Sequence, residues 1–445
     1  MTYAEMITNL RRGVEANREK IIALGHDLYK TPETGFREVK TMQRLLREIE
    51  DMGLSGSLQT WEGVTGYSVV LDTGRSGPTV MLMGELDSVV CFEHPFCDPE
   101  TGAVPACGHH AQNTAVIGAA YALLSSGVLE QLCGKIVLHG VPAEECLQLE
   151  WRLEQIRAGR LRYMGGKAEL LSRGAYDGVD IVLGTHPSDH ERAGVFVTTG
   201  SNGFVSKSLT IHGKSAHAAG LPEKGVNALY AANLGLMGLN ALRETFRDED
   251  YVRVHPIMTS GGRIVNAIPE EAKVETLVRG RTMEAVMDAA EKFDRAFVGA
   301  CYAMNATVTI HTQPGFLPGV HNPLLEGMAL EVGRDIGCAE EDLQVIGFSK
   351  GSTDIGDLQT LLPVLQVFCG LAQGEAHGRD FLMRSDEVYL FPSLYLAAFA
   401  AKLLVDDGKM AKKIREEYKP KFHSKEEYCA FVDALFTDIT LPEKK

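Results

Sequence analysis

Lys135-Ile-Val-Leu-His-Gly-Val-Pro-Ala-Glu-Glu145 is an apolar run that stops at a proline and delivers two carboxylates. Its first seven residues read as a buried strand, with Glu144 and Glu145 just past its end. Neighbouring residues at a strand end project in different directions. One carboxylate can therefore bind a cation while the other faces a water molecule, the arrangement a general base needs. Open α/β sheets place ligands beyond the carboxyl ends of their strands, so in such a sheet this ending is a hint of function.

The pattern repeats on both sides. Tyr67–Asp72, Thr79–Gly84 and Asp180–Gly184 are further short apolar runs, separated by helical patterns over Ala111–Ser126 and Lys167–Gly174. Helices are also predicted near 5–24 and 38–53. Strands alternating with helices imply a sheet covered on both faces. Near residue 195 the texture changes. Val195–Gly213 reads as a strand pair, followed by helix Gly225–Arg243, strands Val252–Ser260 and Ala272–Arg279, helix Met283–Met304 and strand Thr307–His311. Strand–helix–strand–strand–helix–strand is the order of a ferredoxin-like sandwich. The first texture then resumes, with a strand over Val364–Cys369 and a helix over Pro392–Val405. The expectation is an α/β catalytic domain from 1–194 and 314–445, with a small α+β domain, 195–313, inserted. The charged tail after Asp406 is predicted to be a surface helix.

Of the 445 residues, 45% are hydrophobic and 23% charged, the balance of a soluble globular chain long enough for two cores. A net charge of −15 with no basic stretch argues against nucleic acid. The start lacks the apolar segment of a signal peptide, and no stretch reads as a membrane span. Nine scattered cysteines give no disulfide framework. Together these predict a reduced, cytoplasmic protein.

Four other polar segments accompany Glu144-Glu145. In Pro105-Ala-Cys-Gly-His-His110, Cys107 and His109 flank a glycine; in an extended segment both would point the same way toward one metal. His186 follows the run Ile181–Gly184, and His377 lies in the loop Gly374-Glu-Ala-His-Gly378. Thiol, imidazole and carboxylate are the side chains that bind divalent transition metals. Asp87, in Gly84-Glu-Leu-Asp-Ser88, could accept a hydrogen bond from a ligand histidine, with Glu85 beside it. His217, in the inserted domain, could polarise a carbonyl. Asn266 and Arg279 are candidates to hold a substrate carboxylate. The bland alternatives are a buried structural cysteine, exposed surface glutamates, a turn-forming aspartate and ordinary loop or core histidines.

The fixed order of these motifs, from His26-Asp-Leu-Tyr29 through Ala-Cys-Gly-His, Pro-Ala-Glu-Glu, Ser-Ala-His-Ala, Asn266-Ala-Ile-Pro269 and Gly351-Ser-Thr-Asp354 to His377, resembles the metal-dependent amidohydrolases and aminoacylases (peptidase family M-twenty, subfamily D). It looks most like the aminobenzoyl-glutamate hydrolase and aminoacylase-like branch. The resemblance implies a zinc-exopeptidase-like catalytic domain with an inserted ferredoxin-like lid and dimerisation domain, and a homodimer. It implies two divalent metal ions, zinc or manganese, held by Cys107, His109, Glu145, His186 and His377. It makes Glu144 the base and His217 the stabiliser of the tetrahedral intermediate. The implied reaction is hydrolysis of the amide of an N-acyl or N-aroyl amino acid. A dipeptidase of the same fold, a thiol hydrolase using Cys107, and a silent binding relative are the alternatives. His110 and Gln112 depart from the family pattern, and the arginine-rich stretch Leu147–Tyr163 is longer than usual.

Overall fold

In the computed structural model, which describes residues 1–442, the chain divides into two compact units. The first comprises Met1–Thr199, Val320–Phe348 and Asp357–Lys425. The second comprises Gly200–Gly319, Ser349–Gly356 and the stretch from Glu426 onward.

The first unit is built on a nine-stranded sheet. Strands Lys135–Val141, Thr79–Glu85, Ile181–Ser188 and Val364–Gln373 lie side by side and parallel at its centre. Val64–Asp72 joins one side antiparallel. Lys135–Val141 matches the expected bounds, and six of its seven residues are buried. Helices Val39–Asp51 and His109–Ser125 also fall where periodicity places them. The expected helix over 5–24 is two, Tyr3–Ala16 and Arg18–Tyr29. Helix Glu387–Leu404 is long and apolar enough to cross a membrane, against the expectation that no stretch would be. It packs on helix His109–Ser125, and most of its length is buried inside the core.

The second unit has a six-stranded antiparallel sheet. Its spatial order is Arg253–Val254, Glu271–Gly280, Gly203–His212, Thr307–Pro314, Thr437–Leu441, with Ile257–Ser260 also on Glu271–Gly280. Helices Ala228–Leu242 and Met283–Ala303 pack on it. Leaving aside Thr437–Leu441, this is the ferredoxin-like order expected.

Three further readings need correcting. Val195–Gly213 is not a strand pair. Val195–Ser201 joins the first unit's sheet, whereas Gly203–His212 starts the second. The second unit runs over Gly200–Gly319 rather than 195–313 and gains two further pieces. The tail is not merely a surface helix. After helices Lys409–Glu417 and Lys425–Asp433, Thr437–Leu441 pairs with Thr307–Pro314, which draws this part of the chain into the second unit.

Candidate metal centre

Three parallel strands and the turns beyond them present the polar groups at one edge of the first unit. Glu85 ends Thr79–Glu85, Glu144 and Glu145 follow Lys135–Val141, and His186 lies near the end of Ile181–Ser188. Helix His109–Ser125 begins at the same edge. Cys107 and His109 do not lie in an extended segment as expected. Gly108 between them is left-handed (φ 88) and caps the helix. A β-carbon there would sit 2.2 Å from Pro187, so the turn requires glycine.

Cys107, His109 and His186 offer ligand atoms all within 4.8 Å of one another; so do Cys107, Glu145 and His377. Cys107 Sγ lies 3.4 Å from His186 Nε2, and His377 Nε2 lies 3.0 Å from Glu145 Oε1. The five expected ligands are thus brought together, with Cys107 common to both groups. A third group of the same kind is Glu85, His109 and Glu144. Glu85 belongs to the cluster more directly than the sequence indicated.

Asp87 takes the position expected of it. His109 Nδ1 lies 2.9 Å from its carbonyl and 3.2 Å from its Oδ1, and its Oδ2 accepts the Glu145 N–H at 2.9 Å. Glu85 is held by Lys167 Nζ at 2.6 Å and by Gln112 Nε2 at 2.8 Å. Lys167 and Glu85 are fully buried, an ion pair that periodicity and motif spacing did not signal.

The electrostatics favour a cation. Burial pushes the Glu85 carboxyl up, but Lys167, His109 and His186 outweigh it and hold it at about 2. Burial also opposes ionisation of Glu145, yet His377 and His109 keep its carboxyl below the usual range. Burial lowers His109, and the stronger combined pull of Cys107, Glu85 and Asp87 raises it well above the ordinary imidazole value. Burial, then His109, lower His186 and keep its lone pair available.

His109 Nε2 and Glu145 Oε1 are buried without a well-formed hydrogen bond, their nearest polar neighbours being Glu85 Oε2 at 3.3 Å and His377 Nε2 at 3.0 Å. Orphaned ligand atoms are costly unless a missing partner takes them. Together with the donor set of thiol, imidazoles and carboxylates, they fit a divalent metal. Burial pushes the Cys107 thiol up despite His109, which is the opposite of an activated nucleophile and weakens the thiol-hydrolase alternative.

The second unit brings two of its three candidates together. Ala218 N donates to Asn266 O at 3.0 Å, and His217 bridges to Ala267. His217 Nδ1 accepts the Ala219 and Gly220 N–H groups at 3.2 and 2.9 Å, which leaves the ring proton on Nε2. Arg279 stands apart. It lies near the far end of Glu271–Gly280, where its Nη1 donates to Ser352 Oγ at 2.6 Å. His110, given no role, packs edge-on to Tyr29 and Tyr389.

Comparison with known proteins bears out the expected resemblance. Residues 199–300 match the peptidase dimerisation domain. Over 433 residues the chain is 26% identical to an Xaa-Arg dipeptidase of Mus musculus, covering 93% of this chain and 92% of that protein. Over 389 residues it is 26% identical to a p-aminobenzoyl-glutamate hydrolase chain of Escherichia coli, covering 85% and 74%. The fold is similar to that of a dinuclear metal-binding peptidase of the M-twenty family from Bacillus subtilis (TM-score 0.66, 22% identity, 88% and 99% covered).

Proposed function

We propose that the chain is a metal-dependent amidohydrolase that cleaves the amide of an N-acyl or N-aroyl amino acid and releases the free amino acid. The observation that carries this is the pair of ligand groups sharing Cys107, with Glu144 beside them. Cys107, His109, Glu145, His186 and His377 would hold two divalent ions, zinc by preference for a thiol and imidazole set, with manganese or cobalt as alternatives. Such ions lower the pKa of a bound water and polarise a carbonyl.

The chain's own residues do the rest. Asp87 orients His109 through Nδ1 and fixes the Glu145 backbone, so one carboxylate sets two ligands. Glu144 takes a proton from the attacking water and returns it to the leaving nitrogen as the C–N bond breaks. His217, with its proton on Nε2, is the donor assigned to the developing oxyanion. Asn266 beside it is assigned to the substrate, as is Arg279 from its separate place. The relatives' amide substrates support the reaction class, and a dipeptide-like amide is the alternative substrate. The peptidase dimerisation domain supports a homodimer. On helix Ala228–Leu242, Tyr230, Leu234 and Met237 are exposed and supply an apolar face for it. Nine free cysteines support a reducing, cytoplasmic setting.

Metal analysis of the purified protein, then a panel of acyl-amino acids and dipeptides with the best metal, tests the reading. Activity should vanish with chelator, return with metal and resist iodoacetamide. Chelator-resistant, iodoacetamide-sensitive turnover would instead establish the thiol mechanism. Metal binding without turnover on any amide would leave the silent binding relative.

A further inference from the structure

The long stretch Leu147–Tyr163 folds largely as helix Leu149–Arg157, entered through Gln148 in a left-handed conformation. Arg152 of this helix is 1% exposed. Its Nη1 donates to Met164 O at 2.5 Å, and its Nη2 donates to the carbonyl of Glu145. The ring of Phe36 lies 5.3 Å from the guanidinium, and Nε is buried without a partner. Among the described residues no carboxylate pairs with Arg152. A buried cation without a counter-ion is destabilising, so its placement calls for a reason.

The reason is what it holds. Ala143 is left-handed (φ 54), a conformation that residues with a β-carbon adopt at a cost. The loop is kept there by bonds to successive backbone groups. Ala143 N donates to Glu38 Oε1 at 2.8 Å, and Ala143 O accepts from Gly166 N at 3.1 Å. Glu145 N donates to Asp87, while Glu145 O accepts from Leu147 N at 2.8 Å and from Arg152. A β-carbon on Gly35 would lie 2.5 Å from Arg152 Nη2 and 2.8 Å from Ala143 Cα, so the guanidinium is wedged against the loop. Its planar fork spans two carbonyls, which a lysine ammonium cannot reproduce. On the outside, the exposed Arg37 guanidinium lies 4.2 Å from the Trp151 ring and fastens the helix.

We propose that Leu147–Tyr163 is a clamp on the Glu144–Glu145 loop, and that Arg152 is its positioning residue. Arg152 touches no reacting atom; it acts by fixing the Glu145 carbonyl and, through the loop, the direction of both carboxylates. The inference rests on the metal-site reading of this loop given above.

The test uses the full-length, zinc-loaded enzyme with Arg152→Met, Arg152→Lys, Arg152→Ala and Arg37→Ala. Arg152→Met should lower kcat by about 10- to 100-fold, with KM changed less than about twofold and zinc affinity weakened about tenfold. Arg152→Lys should not recover this loss. Added guanidinium ion should restore turnover to Arg152→Ala and not to Glu144→Gln. Arg37→Ala, an exposed change that leaves the fold intact, should lower kcat about threefold through the loosened helix. The clamp is overturned if the Arg152 variants melt earlier but keep kcat and zinc affinity within about twofold of the parent. Should those variants not fold, unchanged kcat and zinc affinity in Arg37→Ala overturn it instead. If the parent cleaves no amide, the amidohydrolase reading fails, while zinc affinity, compared by chelator competition, still tests the clamp.

Discussion

The two sheets hide apolar side chains in different ways, and that difference locates the chemistry. In the first unit, Thr79–Glu85 and Lys135–Val141 are buried almost throughout, on both faces. In the second, burial along Glu271–Gly280 alternates, as on a sheet with one covered face. A doubly covered sheet has room for polar groups mainly at its ends, and the candidate metal site gathers there. The singly covered sheet carries its distinctive feature on the outside, as the exposed Tyr230, Leu234 and Met237 of a helix packed on it.

The comparison is broken most severely by Glu144→Gln. We expect kcat to fall by about a thousandfold with metal content unchanged by elemental analysis and self-association unchanged. A variant with full activity would remove Glu144 as the base. Next comes Gly108→Ala, which forces a β-carbon against Pro187 at a positive φ. It should cost about 3 kcal/mol in chemical denaturation and reduce bound metal. Unchanged stability would mean that the helix-start turn is not constrained as described. Met237→Asp acts on the other region. It should weaken self-association by about 2 kcal/mol, seen as monomer in light scattering at low concentration, and leave metal content alone. Loss of metal in this variant would show that the two regions are not separable.

The last test concerns pH. His139, in the centre of the first sheet, is held at about 3 by burial and bonds to Ser68 Oγ at 2.8 Å. Its folded value is depressed, so its contribution is complete above the unfolded value of about 6.5 and is lost as pH falls from there toward 3. His139→Gln should flatten the acid side of the stability curve by about 1 kcal/mol per pH unit. An unchanged slope in urea titrations would show that other groups govern acid unfolding.

Much of this contrast is legible in the sequence because it is written in local periods. Lys135–Val141 declares itself by seven residues and the Pro-Ala-Glu-Glu that follows. The residues of the candidate metal site are legible by residue type, several of them at strand ends. What escaped depends on distant partners. Lys167 reaches Glu85 across 82 positions, and nothing near Lys167 marks it as buried. The break between Ser201 and Gly203 is hidden in one extended run. It is made by Asn202, a buried side chain whose Nδ2 donates to Tyr251 O at 3.2 Å and Lys350 O at 3.1 Å, and periodicity does not encode such bonds. Thr437–Leu441 was masked by the charged helices before it. Cys107 and His109 do come together as expected, but through a different geometry, because a left-handed glycine can converge two neighbours as well as a strand can.

Thr437–Leu441 has a bearing on how the molecule is made. During synthesis the other strands of the second sheet and their helices emerge well before residue 437. Thr307–Pro314 then waits with one side of its backbone unpaired while more than a hundred residues, most of them of the first unit, are still to come. A bare edge of this kind is a template for foreign strands. A nascent or truncated chain ending before this segment would therefore be prone to aggregate even with its proposed metal-binding residues complete. Five late residues thus act as a seal on a unit begun more than two hundred positions earlier.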